Sequence, residues 1–192
     1  WSRLERYLAD RNEPLEPYLS LQPWFVTLML TNAALIELGH RPEHGVDVHF
    51  LERAHADGKP VSELESVEFQ LGLLADADPH VQDRALVATL ADLASPDALK
   101  KRIDGLTDAW RRGDLEALHT LALSESARDP ALAPLLNALL DERNMSMSRA
   151  VRSFIDGGRR PFVLVGALHL AGESGLVAVL GRRYDIRQIN AD

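Results

Sequence analysis

A chain of 192 residues is long enough for one domain with a substantial core, and 46% hydrophobic with 26% charged residues is ordinary for a globular protein. A net charge of -8 argues against a nucleic-acid surface, because a duplex binder needs clustered Lys and Arg to displace counterions. Cysteine is absent, so disulfides and thiolate ligands are excluded and any metal would be held by His, Asp, Glu or Asn. No apolar run reaches the ~18 residues that a membrane span needs.

Residues 1–11 open with Leu4, Tyr7 and Leu8 at helical spacing, and the chain starts at Trp1 without Met. That start fits either a processed mature domain or a piece of a longer chain. Pro14 and Pro17 punctuate a connection. Pro23 suits the first turn of an apolar helix running to Leu38, and Gly39 suits its C-terminal cap. A short helix follows over 42–56 and stops at Asp57-Gly58.

Lys59 to Leu64 alternates and is bounded by turns, which predicts a strand. Helical spacing returns from Ser66 to about Pro79, then over 80–94 and 97–112, with Ser95 placed to cap the latter. Gly113-Asp114 starts another helix, and Pro130 opens a long one that ends at Gly157-Gly158. Beyond it, Pro161-Phe162-Val163-Leu164-Val165 is a continuous apolar run of the kind found in strands buried on both faces of a parallel sheet. A brief helix over 175–180 and a strand over 184–189 close the chain.

These elements predict an α/β fold, helix-rich, with a small mostly parallel sheet and a mainly helical insertion over 66–157 inside one domain of residues 1–192. Three strands are few against the usual five or six, so the sheet is expected to be incomplete in this chain. An intertwined homodimer is one way to complete it.

Three constellations carry candidate chemistry. In Gly166-Ala167-Leu168-His169, the glycine follows the apolar run, and His169 would stand beyond the sheet edge where ligands bind in α/β folds. A loop-capping histidine is the plain alternative. Arg143, in Asp141-Glu142-Arg143-Asn144, shares a direction to within about 40° with Leu136, Leu139, Met147, Ala150 and Phe154 at ~100° per residue. That points a guanidinium inward, where it needs an anion, either a structural carboxylate or a group in an active site. Asn144 falls on the flank of the same stripe. Glu65 ends the predicted 59–64 strand and would emerge on the sheet edge with His169, or else merely favours the start of the next helix. His40, His44, His49, His55, His80 and His119 read as ordinary surface or core residues.

The same residues, with Gly45-Val46-Asp47, Gly58-Lys59-Pro60-Val61, Leu64-Glu65-Ser66-Val67-Glu68-Phe69-Gln70 and Phe162 through Leu176, resemble the TraB/GumN family from about residue 45 to the end, while 76–130 carries no match. The resemblance implies an α/β core related to the TIKI and erythromycin-esterase-like folds. It also implies a divalent-metal site (Mn, Co or Zn) and peptidase-like or other hydrolysis of a peptide or small-molecule substrate. His169 matches the second of two Gly-x-x-His motifs, Glu65 the acidic position, and Arg143-Asn144 the Arg-Asn pair. The first Gly-x-x-His is not in this sequence, so the chain is expected to bind metal poorly and to be inactive alone. Family members with export signals act in the cell envelope, which implies a periplasmic origin. On this reading His169 and Glu65 ligate metal, with Glu65, Arg143 and Asn144 catalytic. The competing reading is a non-catalytic envelope-binding or polysaccharide-associated module that uses Arg143 as a structural ion pair.

Overall fold

The computed structural model describes residues 1–124 and 129–189. Ten α-helices appear among them: α1 (Ser2–Ala9), α2 (Pro23–Glu37), α3 (Val46–Ala56), α4 (Val67–Ala75), α5 (Pro79–Leu93), α6 (Pro96–Arg111), α7 (Leu115–Leu123), α8 (Ala133–Asn137), α9 (Arg143–Asp156) and α10 (Leu176–Gly181). Proline stands in the first turn of α2, α5, α6 and α8, where its fixed φ suits the helix and its missing N–H costs nothing. Side-chain caps start three helices: the Ser66 hydroxyl accepts from the Phe69 N–H at 3.1 Å, and Asp78 and Asp114 do the same for α5 and α7. Ser95 makes no such bond, so α6 relies on its proline alone.

The expected α/β architecture is overturned. Among the described residues there is no strand and no sheet. The segments 59–64, 161–165 and 184–189 run as irregular backbone without a ladder partner, and a strand exists only when a neighbour about 4.8 Å away takes up its N–H and C=O groups. The side chains tell the same story. Val61 is 51% exposed, Phe162 73% and Ile189 81%, so all three segments turn apolar side chains to the surface, including the one that read as a buried strand. The Phe162 ring centroid lies 4.9 Å from that of Phe50. A short apolar run signals burial without saying which structure does the burying, and here the signal misled.

The main core is helix on helix. Leu4 and Leu8 of α1, Val26, Leu30 and Ala34 of α2, and Leu86, Leu90 and Leu93 of α5 form one buried cluster, with Tyr7, Leu15, Tyr18, Leu21 and Leu99 around it. The i, i+4, i+8 spacing in α2 and the i, i+4, i+7 spacing in α5 make the two facing stripes. Gln82, 4% exposed, pins this core to what precedes it: its amide nitrogen donates to the carbonyls of Ala75 and Ala77, and its oxygen accepts from the Trp24 N–H.

A second, smaller packing unit brings α9 against α10, and α7 against a 3-10 turn at Ala167–Leu170. Leu118, Met147, Val151, Ala171 and Leu176 are its buried apolar residues. The long helix expected from Pro130 to Asp156 reaches this unit in pieces: a 3-10 turn at Pro130–Leu132, then α8, a π turn at Ala138–Glu142, and α9. Replacement of Leu8, fully buried, by alanine should cost about 2–5 kcal/mol of unfolding free energy, read as a lowered urea midpoint with an unchanged m-value.

Candidate functional site

The polar centre of the molecule is in the second unit, and the π turn sets it up. A π turn holds an extra residue and advances the helix phase, so positions after residue 142 are not in line with those before it. The buried face of α9 is accordingly Asn144, Met147, Ser148 and Val151. Uniform helical spacing had put Arg143 at the centre of an apolar stripe with Leu136 and Leu139, and Asn144 on its flank. The structure reverses this: Asn144 is 1% exposed and central, while the Arg143 side chain lies at the edge, 16% exposed.

From that edge Arg143 reaches Glu65. Its Nε and Nη2 both lie 2.9 Å from the same carboxylate oxygen, Oε2, and Nη1 donates to the Leu139 carbonyl at 3.4 Å. The Glu65 side chain is 2% exposed. Its other oxygen, Oε1, is buried and has no hydrogen-bond partner. A buried acceptor left unmatched costs about 1–3 kcal/mol, and more when it is charged, so this atom needs an explanation.

Beside this pair, His169 Nδ1 lies 2.7 Å from Asn144 Oδ1. An amide oxygen only accepts, so Nδ1 carries the proton and a neutral ring keeps its lone pair on Nε2. His169 is 8% exposed, and burial is the first cause that holds its pKa below the ordinary histidine value. The Arg143 charge adds to this depression and the Glu65 carboxylate opposes it, so the ring feels both members of the ion pair. The imidazole is therefore neutral at neutral pH.

His169 does not end a strand. It sits in the 3-10 turn Ala167–Leu170, where its N–H is bonded to the Gly166 carbonyl at 2.9 Å. Gly166 has φ -57° and an added Cβ would meet only ordinary contact with the ring, so neither turn geometry nor space demands glycine there. The demanding glycines come later. Gly172 has φ 76°, and a Cβ on it would lie 2.7 Å from Nε2 of His119, while a Cβ on Gly175 would run into the Ala171 carbonyl.

Two contributors were not legible in the sequence. Asp141, which helical phase pointed away, accepts a hydrogen bond from the Ser174 hydroxyl and fastens the 171–175 turn to the π turn. His119, read as ordinary, packs on Gly172 of that same turn. Neither residue carried a spacing signal, because each meets its partner across dozens of residues. His40, His44, His49, His55 and His80 take no part in the cluster.

Glu65, Arg143, Asn144 and His169 are thus brought together, with Glu65, Asn144 and His169 buried and Arg143 at the edge. Two grooves on the surface are lined by other residues, one between α4 and α8 and the other around Glu43–Glu52. As a metal centre the set is short. Among the described residues no group of three or more His, Asp or Glu side chains gathers, whereas protein metal sites commonly use three or four such ligands. No helix among these residues is long and apolar enough to cross a membrane.

A buried carboxylate held by a guanidinium and set beside a neutral histidine is the polar core of this helical chain, and comparison with known proteins supplies its family. The model of the TraB/PrgY/gumN family matches residues 1–187, so the chain belongs to that family. The match includes the helical middle and the first 44 residues, where no motif stood out in the sequence. The chain is 28% identical over 167 residues to "Uncharacterized protein YbaP" of Escherichia coli K12, and equally to the protein of that name from Shigella flexneri. These alignments cover 84% of this chain and 57% of each relative, so the chain spans little more than half their length. No solved structure matches.

Removing one partner of the buried pair strands the other, so Arg143→Met should lower unfolding stability by about 3–5 kcal/mol. The double variant Glu65→Leu/Arg143→Met should recover most of that loss in a double-mutant cycle. Stability should also depend on His169 with a definite sign. Its folded pKa lies below its unfolded value of about 6.5, so the unfolded chain takes up the proton first. The contribution is fully present above about pH 6.5 and is lost as pH falls through the depressed folded value. Urea midpoints of the wild type should drop more than those of His169→Gln between neutral and mildly acid pH.

Proposed function

We propose that this chain carries part of a hydrolytic centre of the TraB/PrgY/gumN family, acting on a peptide or small amide or ester substrate. The observation that supports it is the buried Glu65 oxygen without a partner, close enough to His169 for its charge to be felt there. His169 offers a neutral nitrogen whose orientation is fixed by Asn144, and Glu65 offers an anionic oxygen whose position is fixed by Arg143. Fixed outer partners of this kind are what hold metal ligands or acid–base groups in place.

The donor types suit a divalent ion such as Mn²⁺, Co²⁺ or Zn²⁺, which would supply Lewis acidity and an activated water. The number of donors does not suit it: two fall short of three, so a tight site requires at least one donor beyond the described residues. What the chain's own residues do is narrower. Arg143 holds Glu65 in place, Asn144 holds His169 in the tautomer with a free Nε2, and His169 is positioned to accept a proton. Action in the cell envelope is part of this proposal, on the family resemblance.

A non-catalytic envelope module is the second reading, and the burial of the Glu65 and His169 side chains favours it. Co²⁺ titration followed by visible absorption separates the two. We expect weak binding with an N/O-ligand spectrum that disappears in His169→Ala and weakens at least tenfold in Glu65→Gln, a loss of about 1.4 kcal/mol per tenfold. A spectrum untouched by either substitution, or no binding at all, leaves the non-catalytic module as the reading.

A further inference from the structure

Helix α4 is apolar at six of its nine positions, yet none of its residues is buried. Phe69, Gly72, Leu73 and Asp76 follow the i, i+3, i+4, i+7 spacing of one helical stripe, and that stripe faces a groove instead of another helix. The opposite wall is Pro134 and Leu135 of α8 with Ala138 at the start of the π turn. The groove has a volume of about 510 Å³. Two helical stripes held apart by such a space present the geometry that receives a third helix.

The charge along this groove has one sign. Among the described residues, Glu68, Asp76 and Asp78 line it with no Lys, Arg or His, and none of the three is in an ion pair. Asp78 also caps α5 through the His80 N–H, which fixes its place at the rim. Gly72 lies mid-stripe, and the only atom within 4 Å of a Cβ built there is a carboxylate oxygen of Asp76, at 3.7 Å. A partner backbone approaches closely at such a point.

We propose that this groove binds a cationic amphipathic helix, with apolar side chains on Phe69, Leu73 and Leu135 and Lys or Arg side chains at the acidic rim. The apolar walls supply affinity, and the three carboxylates select the sign of the partner. The inference is independent of the hydrolytic reading, since no residue of the Glu65–Arg143–Asn144–His169 cluster lines the groove.

The test uses two dye-labelled synthetic helices of roughly 14 residues, about 20 Å long, with Leu at i, i+3, i+4, i+7 and flanking positions all Lys in one and all Glu in the other. The Lys peptide should bind in an anisotropy titration and weaken as salt is raised, with the Glu peptide at least about tenfold weaker. Gly72→Leu fills the groove while favouring the helix, so it should abolish binding with circular dichroism intact. Glu68→Gln/Asp76→Asn should remove the salt dependence and the preference for Lys. Equal binding of both peptides, unaltered binding by Gly72→Leu, or no binding of the Lys peptide would overturn the proposal. So would light scattering that shows a wild-type dimer made monomeric by Gly72→Leu, because the occupant would then be a second copy.

Discussion

The Arg143–Glu65 ion pair joins two parts of the chain 78 residues apart. Glu65 lies in an irregular segment with no ladder partner, and α4, which begins one residue after Ser66, contributes nothing to the core. The stretch is therefore held at its start by the guanidinium it meets 78 residues later and by the Ser66 cap, and at its end by Gln82, which donates to the Ala75 and Ala77 carbonyls. Desolvating two charges is expensive, and the expense is offset only when geometry and hydrogen bonds are good. Here both donors converge on one oxygen, leaving the second idle. A structure selected for stability alone would be expected to satisfy both.

The molecule divides its labour between two kinds of interior. The α1, α2 and α5 core is apolar and stabilises by area, with Gln82 as its one buried polar tie. The α7, α9 and α10 unit buries Asn144, Ser148 and His169 beside Met147 and Val151, and so exchanges hydrophobic gain for polar positioning. Interiors of the second kind are costly unless each group is matched, and they hold a side chain in one orientation once they are. Asn144 does this for His169.

Local signals are legible in the sequence. Helix starts at Pro23 and Ser66 and the stop at Gly39 follow from dihedral and periodicity rules that act within a few residues. Strand pairing, which depends on a distant partner, is not legible in it. Phe162 to Val165 has the composition of a buried strand, but a strand is defined by its neighbour, and none is present among the described residues. Glu65, Arg143 and His169 stood out because an inward charge and a glycine-led histidine are conspicuous alone. The hydrogen bond from His169 to Asn144, and the tie of Ser174 to Asp141, were hidden by the assumption of an unbroken helix.

That assumption failed at Ala138–Glu142, and the same five residues carry a constraint of their own. A helix of constant pitch tolerates substitution more readily than a change of length, and this one couples two faces through a single surplus residue. Ala138 looks into the groove and Asp141 holds the 171–175 turn, while Asn144, a turn onward, supports the imidazole. Loss of any one residue between them would let the winding relax to an ordinary α-helix and swing one side by ~100° relative to the other. The spelling of this stretch is thus freer than its letter count, and a genetic insertion or deletion there would act as a switch of alignment for everything downstream.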